Sequence, residues 1–132
     1  MTAAKMGGII GFVLHLLIGA LLIMAGGFKV AGSMPPEAAE MLAERKMADD
    51  IVMIGWGELV TAVLLVLPWT SVVGTLLASS LWGGAIVHHM QADESYALIA
   101  GLLAVTWIAA VLRHPWLLQN LWPRTAETPR NG

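Results

Sequence analysis

Apolar residues along this chain are gathered into four long blocks separated by short polar stretches. The blocks cover residues 6–28, 51–67, 71–90 and 96–112. None shows the alternation of apolar and polar positions that a half-buried strand produces, and each is long enough for a helix that crosses a bilayer, about 17–25 residues. Helices also satisfy every backbone amide within lipid. The pattern therefore predicts an all-α fold, a bundle of four transmembrane helices.

The longest polar stretch lies between the first and second blocks. It opens with Pro35 and Pro36, which suit the first turn of a helix, and residues 38–47 are good helix formers. We expect a short amphipathic surface helix over residues 35–47. The chain then forms one membrane domain over residues 1–132, which ends in a polar tail over 113–132.

Composition supports a bilayer as the solvent for much of the surface. Apolar residues make up 58% and charged residues 12% of the chain, against about 45–50% and 25% in soluble domains. The absence of cysteine excludes thiol nucleophiles, disulfides, iron–sulfur clusters and zinc–thiolate sites. A net charge of −2 without a basic patch argues against nucleic acid as a partner.

Basic residues give the predicted orientation. Four spans place both termini on one side, and basic residues favour the cytoplasmic side. With the termini inside, four basic residues lie in cytoplasmic segments and three in outer segments: Lys5, Arg113, Arg124 and Arg130 against Lys29, Arg45 and Lys46. The count favours cytoplasmic termini.

Small and ionisable residues share one face of the first block. Steps of three and four residues connect Gly8, Phe12, His15, Gly19, Leu22, Gly26 and Lys29. Small residues on such a face let neighbouring membrane helices approach closely. The simplest interpretation of the face is a packing seam, with His15 as a hydrogen-bonded core residue.

Four ionisable residues are predicted to meet in one half of the bundle. Chain direction alternates from span to span, so the end of the first block, the start of the second and the end of the third lie on one side. This groups Lys29, Glu58, His88 and His89, with Glu58 about 10 Å inside its span. All four are candidate ligand-binding residues, and Glu58 and His88 are candidate catalytic residues that relay protons.

Two interpretations of Glu58 stay open. A carboxyl group inside a membrane span costs a few kcal/mol unless it is protonated or paired. Glu58 could be a proton carrier or head-group anchor, or it could form a structural ion pair with Lys29 that fixes the helix register. Adjacent helical residues point about 100° apart, so we expect His88 to face Glu58 and His89 to reach Asp93 instead.

No spacing of ligand residues supports a metal site. No two histidines lie at the same depth in the bundle, as the two axial ligands of a haem would.

Three sequence segments resemble DoxX-like membrane proteins. They are the glycine-rich first span that ends in lysine, the glycine–glutamate pattern of the second span and the histidine-bearing end of the third: Gly19-x6-Gly26-Gly27-Phe28-Lys29-x2-Gly32, Gly55-x2-Glu58-Leu59 with Leu64 to Pro68, and Gly84-Ala85-x2-His88-His89. The resemblance covers roughly residues 6–112. Within it, Lys29, Glu58 and His88 match the polar positions of the family.

The resemblance implies an integral protein of the bacterial inner membrane. Some members of the family are subunits of thiosulfate:quinone oxidoreductases, and others are linked to oxidative-stress complexes. It therefore implies a quinone as ligand, no covalently bound cofactor, and a protein partner or a homo-oligomer. The charged insertion at residues 32–50 would alter any partner surface.

Three functions are compatible with these observations, and no motif specifies a reaction. The first is a subunit of a quinone-linked oxidoreductase. The second is a non-catalytic structural or assembly subunit that uses its small-residue seams and residues 32–50 to hold a partner. The third is a small proton-coupled transporter, although the small multidrug exporters carry their glutamate in the first span, where this chain has His15.

Overall fold

The computed structural model describes residues 1–121, and all regular secondary structure in this part of the chain is α-helical. The six helices are α1 (Ala3–Ala31), α2 (Pro36–Glu44), α3 (Ile51–Val66), α4 (Ser71–Gln91), α5 (Ala97–Arg113) and α6 (Trp116–Leu121). The four apolar blocks correspond to α1, α3, α4 and α5, and the predicted surface helix corresponds to the shorter α2. Helix α6 begins within the predicted polar tail, and residues 122–132, including Arg124 and Arg130, lie outside the described residues.

The four longer helices pack side by side in a closed ring. Helix α1 packs against α3 and α5, and α4 packs against the same two helices. The C-terminus of α1 meets the N-terminal half of α3, where Lys29 contacts Glu58; we call this the lysine end. At the opposite end, which we call the arginine end, Arg113 at the C-terminus of α5 contacts the C-terminus of α3.

The interior of this ring is filled mainly by small side chains, whereas large apolar side chains cover its outer surface. Among residues 1–121, the buried set consists mainly of glycine, alanine, serine and threonine, with His15, Ile18, Leu22 and Leu65 as its larger members. Large apolar side chains are exposed instead, among them Leu17, Met24, Met53, Trp56, Val63 and Leu98. Such a distribution is the reverse of that in a soluble domain and is typical of helices that pack within lipid.

Helices α1 and α4 are long and apolar enough to cross a membrane. Helices α3 and α5 are apolar as well, but they have only 16 and 17 residues. The all-helical prediction is thus confirmed for residues 1–121, with two helices that meet the requirements of a span by length and composition.

The helix backbones approach most closely at glycines. A Cβ atom on Gly26 would lie 2.6 Å from the carbonyl oxygen of Gly55, so α1 and α3 touch beside Lys29 and Glu58. The predicted seam of α1 is buried at Gly19 and Gly26. At its N-terminal end, however, Gly8 faces open space, and Gly11 makes the contact instead.

Replacement of Gly74 by alanine tests the contact between α3 and α4. A Cβ atom there would lie 2.5 Å from the backbone nitrogen of Leu65, so the helices must separate. We expect Gly74→Ala to lower the free energy of unfolding by about 1–3 kcal/mol, the usual cost of overpacking. Gly83→Ala is the matched control on α4, because nothing lies within 4 Å of a Cβ atom at that position. Equal stability of the two variants in reversible unfolding would contradict this contact.

Candidate functional site

Lys29 and Glu58 form a two-pronged ion pair at the lysine end. The ammonium nitrogen Nζ lies 2.6 Å from Oε1 and 2.7 Å from Oε2 of the carboxylate. The side chains are only 19% and 12% exposed. The close crossing of Gly26 and Gly55 sets this distance, since a larger residue at either position would push α1 and α3 apart.

A cavity of about 490 Å³ opens beside this ion pair, between α2, α3 and α4. All four candidate residues line it: Lys29, Glu58, His88 and His89. Most of the remaining wall is apolar and includes Met41, Leu42, Ile54, Leu81 and Trp82. Sites for small molecules have this size and this mixture of apolar walls with a few polar groups. The sequence-based grouping of the four residues is therefore present in the structure.

The ring of His88, a residue that lines the cavity, has one polar atom without a partner. Its Nε2 atom is buried and has no hydrogen-bond partner among residues 1–121. Buried polar atoms in folded proteins usually have a partner, so Nε2 is suited to a ligand once rotation of the ring opens it to the cavity.

Glu58 and His88 line the same cavity without forming a hydrogen bond or an ion pair with each other in the described part of the chain. Proton transfer between Glu58 and His88 would need a bridging molecule in the cavity. The proposed relay thus depends on a bound ligand or solvent.

His89 contacts Glu94 rather than the predicted Asp93. Its Nδ1 atom lies 3.0 Å from Oε2 of Glu94, in an orientation that does not form a hydrogen bond. Helix α4 ends at Gln91, and Asp93 adopts a left-handed backbone with φ 55°. The helical i to i+4 spacing therefore does not continue to Asp93. Oε1 of Glu94 forms an ion pair with Arg45.

Among residues 1–121, no group of three or more histidine, cysteine, aspartate or glutamate side chains is arranged so that it could hold a metal ion.

A second polar cluster lies at the arginine end, around His15. Arg113 donates from NH1 to Nδ1 of His15 over 2.9 Å. A guanidinium group can only donate, so the ring proton resides on Nε2, which donates to the carbonyl oxygen of Thr106 over 3.1 Å. Both ring nitrogens of this fully buried residue are satisfied, and His15 is the hydrogen-bonded core residue that the sequence predicts.

Arg113 also completes the C-terminus of α3. It donates to the carbonyl oxygens of Leu65 over 2.7 Å and Val66 over 3.3 Å, and its guanidinium lies 5.3 Å from the ring centroid of Phe12. The last carbonyls of a helix lack intrahelical partners and favour a cation. Sequence reasoning placed Arg113 at the start of the tail. One feature of the sequence could have indicated this role: Arg113 directly follows an apolar block, and a long cationic side chain can fold back along its helix.

Protonation of His114 in acid should lower the stability of the folded protein at the arginine end. Its Nε2 atom lies 2.7 Å from Oγ of Ser71, and burial, aided by the charge of Arg113, lowers the pKa of His114 below its ordinary value of 6.5. The unfolded chain therefore binds the proton more tightly than the folded one. The stabilisation is complete above pH 6.5 and decreases as the pH falls below it.

We expect the unfolding temperature to decrease below pH 6.5, and His114→Gln to show a smaller decrease. Thermal unfolding of both proteins between pH 5 and pH 8, a range set around the ordinary histidine pKa, measures this difference. Parallel pH profiles of the two proteins would exclude a contribution from His114.

Comparisons with known protein families, with curated proteins and with solved structures find no match for this chain.

Proposed function

We propose that this protein is a DoxX-like integral protein of the bacterial inner membrane with four transmembrane helices and cytoplasmic termini. In this proposal it is a subunit of a quinone-linked oxidoreductase, and it binds the head group of a quinone or a similar lipophile at the lysine end. The observation that carries the proposal is the cavity of about 490 Å³ that brings together Lys29, Glu58, His88 and His89.

The exposed apolar side chains support the proposal that α3 and α5 also cross the membrane, in addition to α1 and α4. Helices α3 and α5, with 16 and 17 residues, are about 24–26 Å long at 1.5 Å per residue, a few ångströms short of a hydrocarbon layer of about 30 Å. Local thinning of the bilayer compensates for such a mismatch at a modest cost. Both helices carry exposed large side chains, such as Val63 and Ile108, which favour contact with lipid.

The charge balance of the cavity favours an uncharged head group. Lys29 is neutralised by Glu58, and Arg45 is neutralised by Glu94. The buried Nε2 atom of His88 then stays available for one hydrogen bond. A quinone carbonyl accepts such a bond and a quinol hydroxyl can donate one, whereas an anionic or cationic head group would need to break an existing ion pair.

The residues of this chain would handle protons in the proposed reaction. Reduction of a quinone to a quinol takes up two electrons and two protons. In this proposal Glu58 and His88, which both line the cavity, exchange those protons with the head group. The chain has no cysteine with which to ligate an iron–sulfur cluster, so the proposal assigns electron delivery to a partner subunit.

Mass spectrometry of the organic extract tests this proposal. The protein is purified in detergent as the wild type, as Glu58→Gln and as the control Glu40→Gln, which alters an exposed carboxylate that is not part of the cavity wall. We expect about one quinone or other lipophile per chain in the wild type and the control, and loss of it in Glu58→Gln. Bulk phospholipid alone in all three extracts would contradict a ligand site.

A structural or assembly subunit is the second candidate. The observation that favours it is the location of the Lys29–Glu58 ion pair at the tightest crossing of α1 and α3, where a pair can fix the helix register. This candidate predicts a stoichiometric partner that still co-purifies with Glu58→Gln but is lost when residues 34–48 are deleted. Loss of the partner in both variants would instead connect assembly to the polar cavity.

A further inference from the structure

Helix α2 covers the cavity without being part of the helix ring. None of its residues is buried. Met41 and Leu42 of α2 and the next residue after the helix, Arg45, line the cavity. The acidic side chains of α2, Glu37, Glu40 and Glu44, are exposed instead. The helix is therefore amphipathic, and its apolar side forms one wall of the site.

One ion pair connects this segment to the rest of the molecule. Arg45 donates from NH2 to Oε1 of Glu94 in the loop between α4 and α5. Among residues 1–121, this is the only side-chain hydrogen bond that ties residues 34–50 to another helix or loop. Because Oε2 of the same carboxylate lies 3.0 Å from His89, the connection ends at the cavity wall itself.

Left-handed backbone positions flank α2 on both sides. Gly32 ends α1 with φ 64°, and Lys46 follows α2 with φ 56°. Glycine adopts this conformation readily, whereas an L-residue such as lysine is strained in it. Each position closes a helix cap with two backbone hydrogen bonds, such as that from Met47 to Leu42. Rotation at Lys46 would break the bonds of its cap and relieve its strain.

The bilayer offers α2 a second stable location. An amphipathic helix with an apolar face and a charged face lies readily in the membrane interface. In the proposed membrane setting, Met41 and Leu42 could exchange the cavity for this interface without exposure to water. The closed and open positions of α2 would then differ mainly by the Arg45–Glu94 ion pair.

We propose that α2 is a hinged lid over the ligand cavity, held closed by the Arg45–Glu94 ion pair and opened by rotation about Gly32 and Lys46 to admit a lipophilic ligand. The lid has a physical test of its own, while its role in ligand entry rests on the proposed function above.

Distances between two spin labels on the full chain in lipid nanodiscs test the lid without any ligand. The chain has no cysteine, so the labels are attached at Ala39→Cys on α2 and Met90→Cys on α4, two exposed positions that do not line the cavity. We expect the population with the longer distance to increase severalfold in Arg45→Gln and in Glu94→Gln, with no further increase in the double variant, because either substitution already breaks the same pair. Glu37→Gln is the matched control, since it removes an exposed carboxylate of α2 that forms no ion pair among residues 1–121. Wild-type distances in both single variants would overturn the lid.

Stopped-flow binding of decylubiquinone tests the role in ligand entry. With a lid, Arg45→Gln and Glu94→Gln should both raise the association and dissociation rates severalfold, and Glu37→Gln should leave them unchanged. Association rates equal to that of the wild type, alongside a larger open population of α2, would show a mobile helix that does not control entry and would overturn the lid's role. If the quinone binds to none of the proteins, the proposed function fails, while the distance measurement still decides whether α2 opens.

Discussion

Replacement of Lys29 by methionine is expected to lower the free energy of unfolding by about 3–5 kcal/mol. Removing one partner of a mostly buried ion pair leaves the other charge without compensation, and this is the usual size of the effect. Reversible unfolding in detergent, with Lys5→Met as a control at an exposed position, measures it. The reciprocal variant Glu58→Gln also leaves a charge, the Lys29 ammonium, without its counter-charge. It should be less costly, because the amide oxygen can still accept a hydrogen bond from Nζ of Lys29.

The double variant Lys29→Met/Glu58→Leu separates structure from function. Apolar residues that replace both members of a buried pair often restore stability, so we expect most of the loss caused by Lys29→Met to be recovered. If the double variant is stable but binds no lipophile, the ion pair serves the ligand. If the double variant is as unstable as Lys29→Met, the uncompensated charge of Glu58 is not what destabilises Lys29→Met.

Arg113→Met should lower the free energy of unfolding by about 3 kcal/mol. The substitution leaves the Leu65 carbonyl and Nδ1 of His15 without their donor, and each unsatisfied buried polar group costs about 1–3 kcal/mol. Arg113→Lys should fall between the wild type and Arg113→Met, because a single ammonium group can reach only part of this set. A loss below about 1 kcal/mol in Arg113→Met would show that solvent replaces the guanidinium, since solvated partners contribute little.

The helices and the grouping of the four candidate residues were predictable from sequence for the same reason. Long apolar blocks have few alternatives to helices, and alternation of chain direction fixes which helix ends share a side. The lysine end follows from these two facts, because Lys29 ends one block and Glu58 lies near the start of the next. Neither fact depends on how the side chains pack.

The remaining contacts depend on backbone turns that no periodicity describes. The end of α4 at Gln91 and the left-handed Asp93 direct Glu94 toward His89 and Arg45. The position of α2 over the cavity follows from this contact and from the turn at Gly32. Arg113 and His15 are 98 residues apart, and nothing in their local sequences relates them. Such contacts arise only when the whole ring of helices closes.

The small size of the side chains inside the ring also has a calorimetric consequence. The heat-capacity increment of unfolding comes mainly from apolar surface that becomes exposed to water, about 12–15 cal/mol/K per residue in soluble domains. Here the buried residues are mostly glycine, alanine, serine and threonine, and in the proposed bilayer the separated helices would keep their large side chains in hydrocarbon. The increment should therefore be far smaller. The stability of this bundle would then change almost linearly with temperature, without the maximum near room temperature and the cold denaturation that follow from apolar hydration.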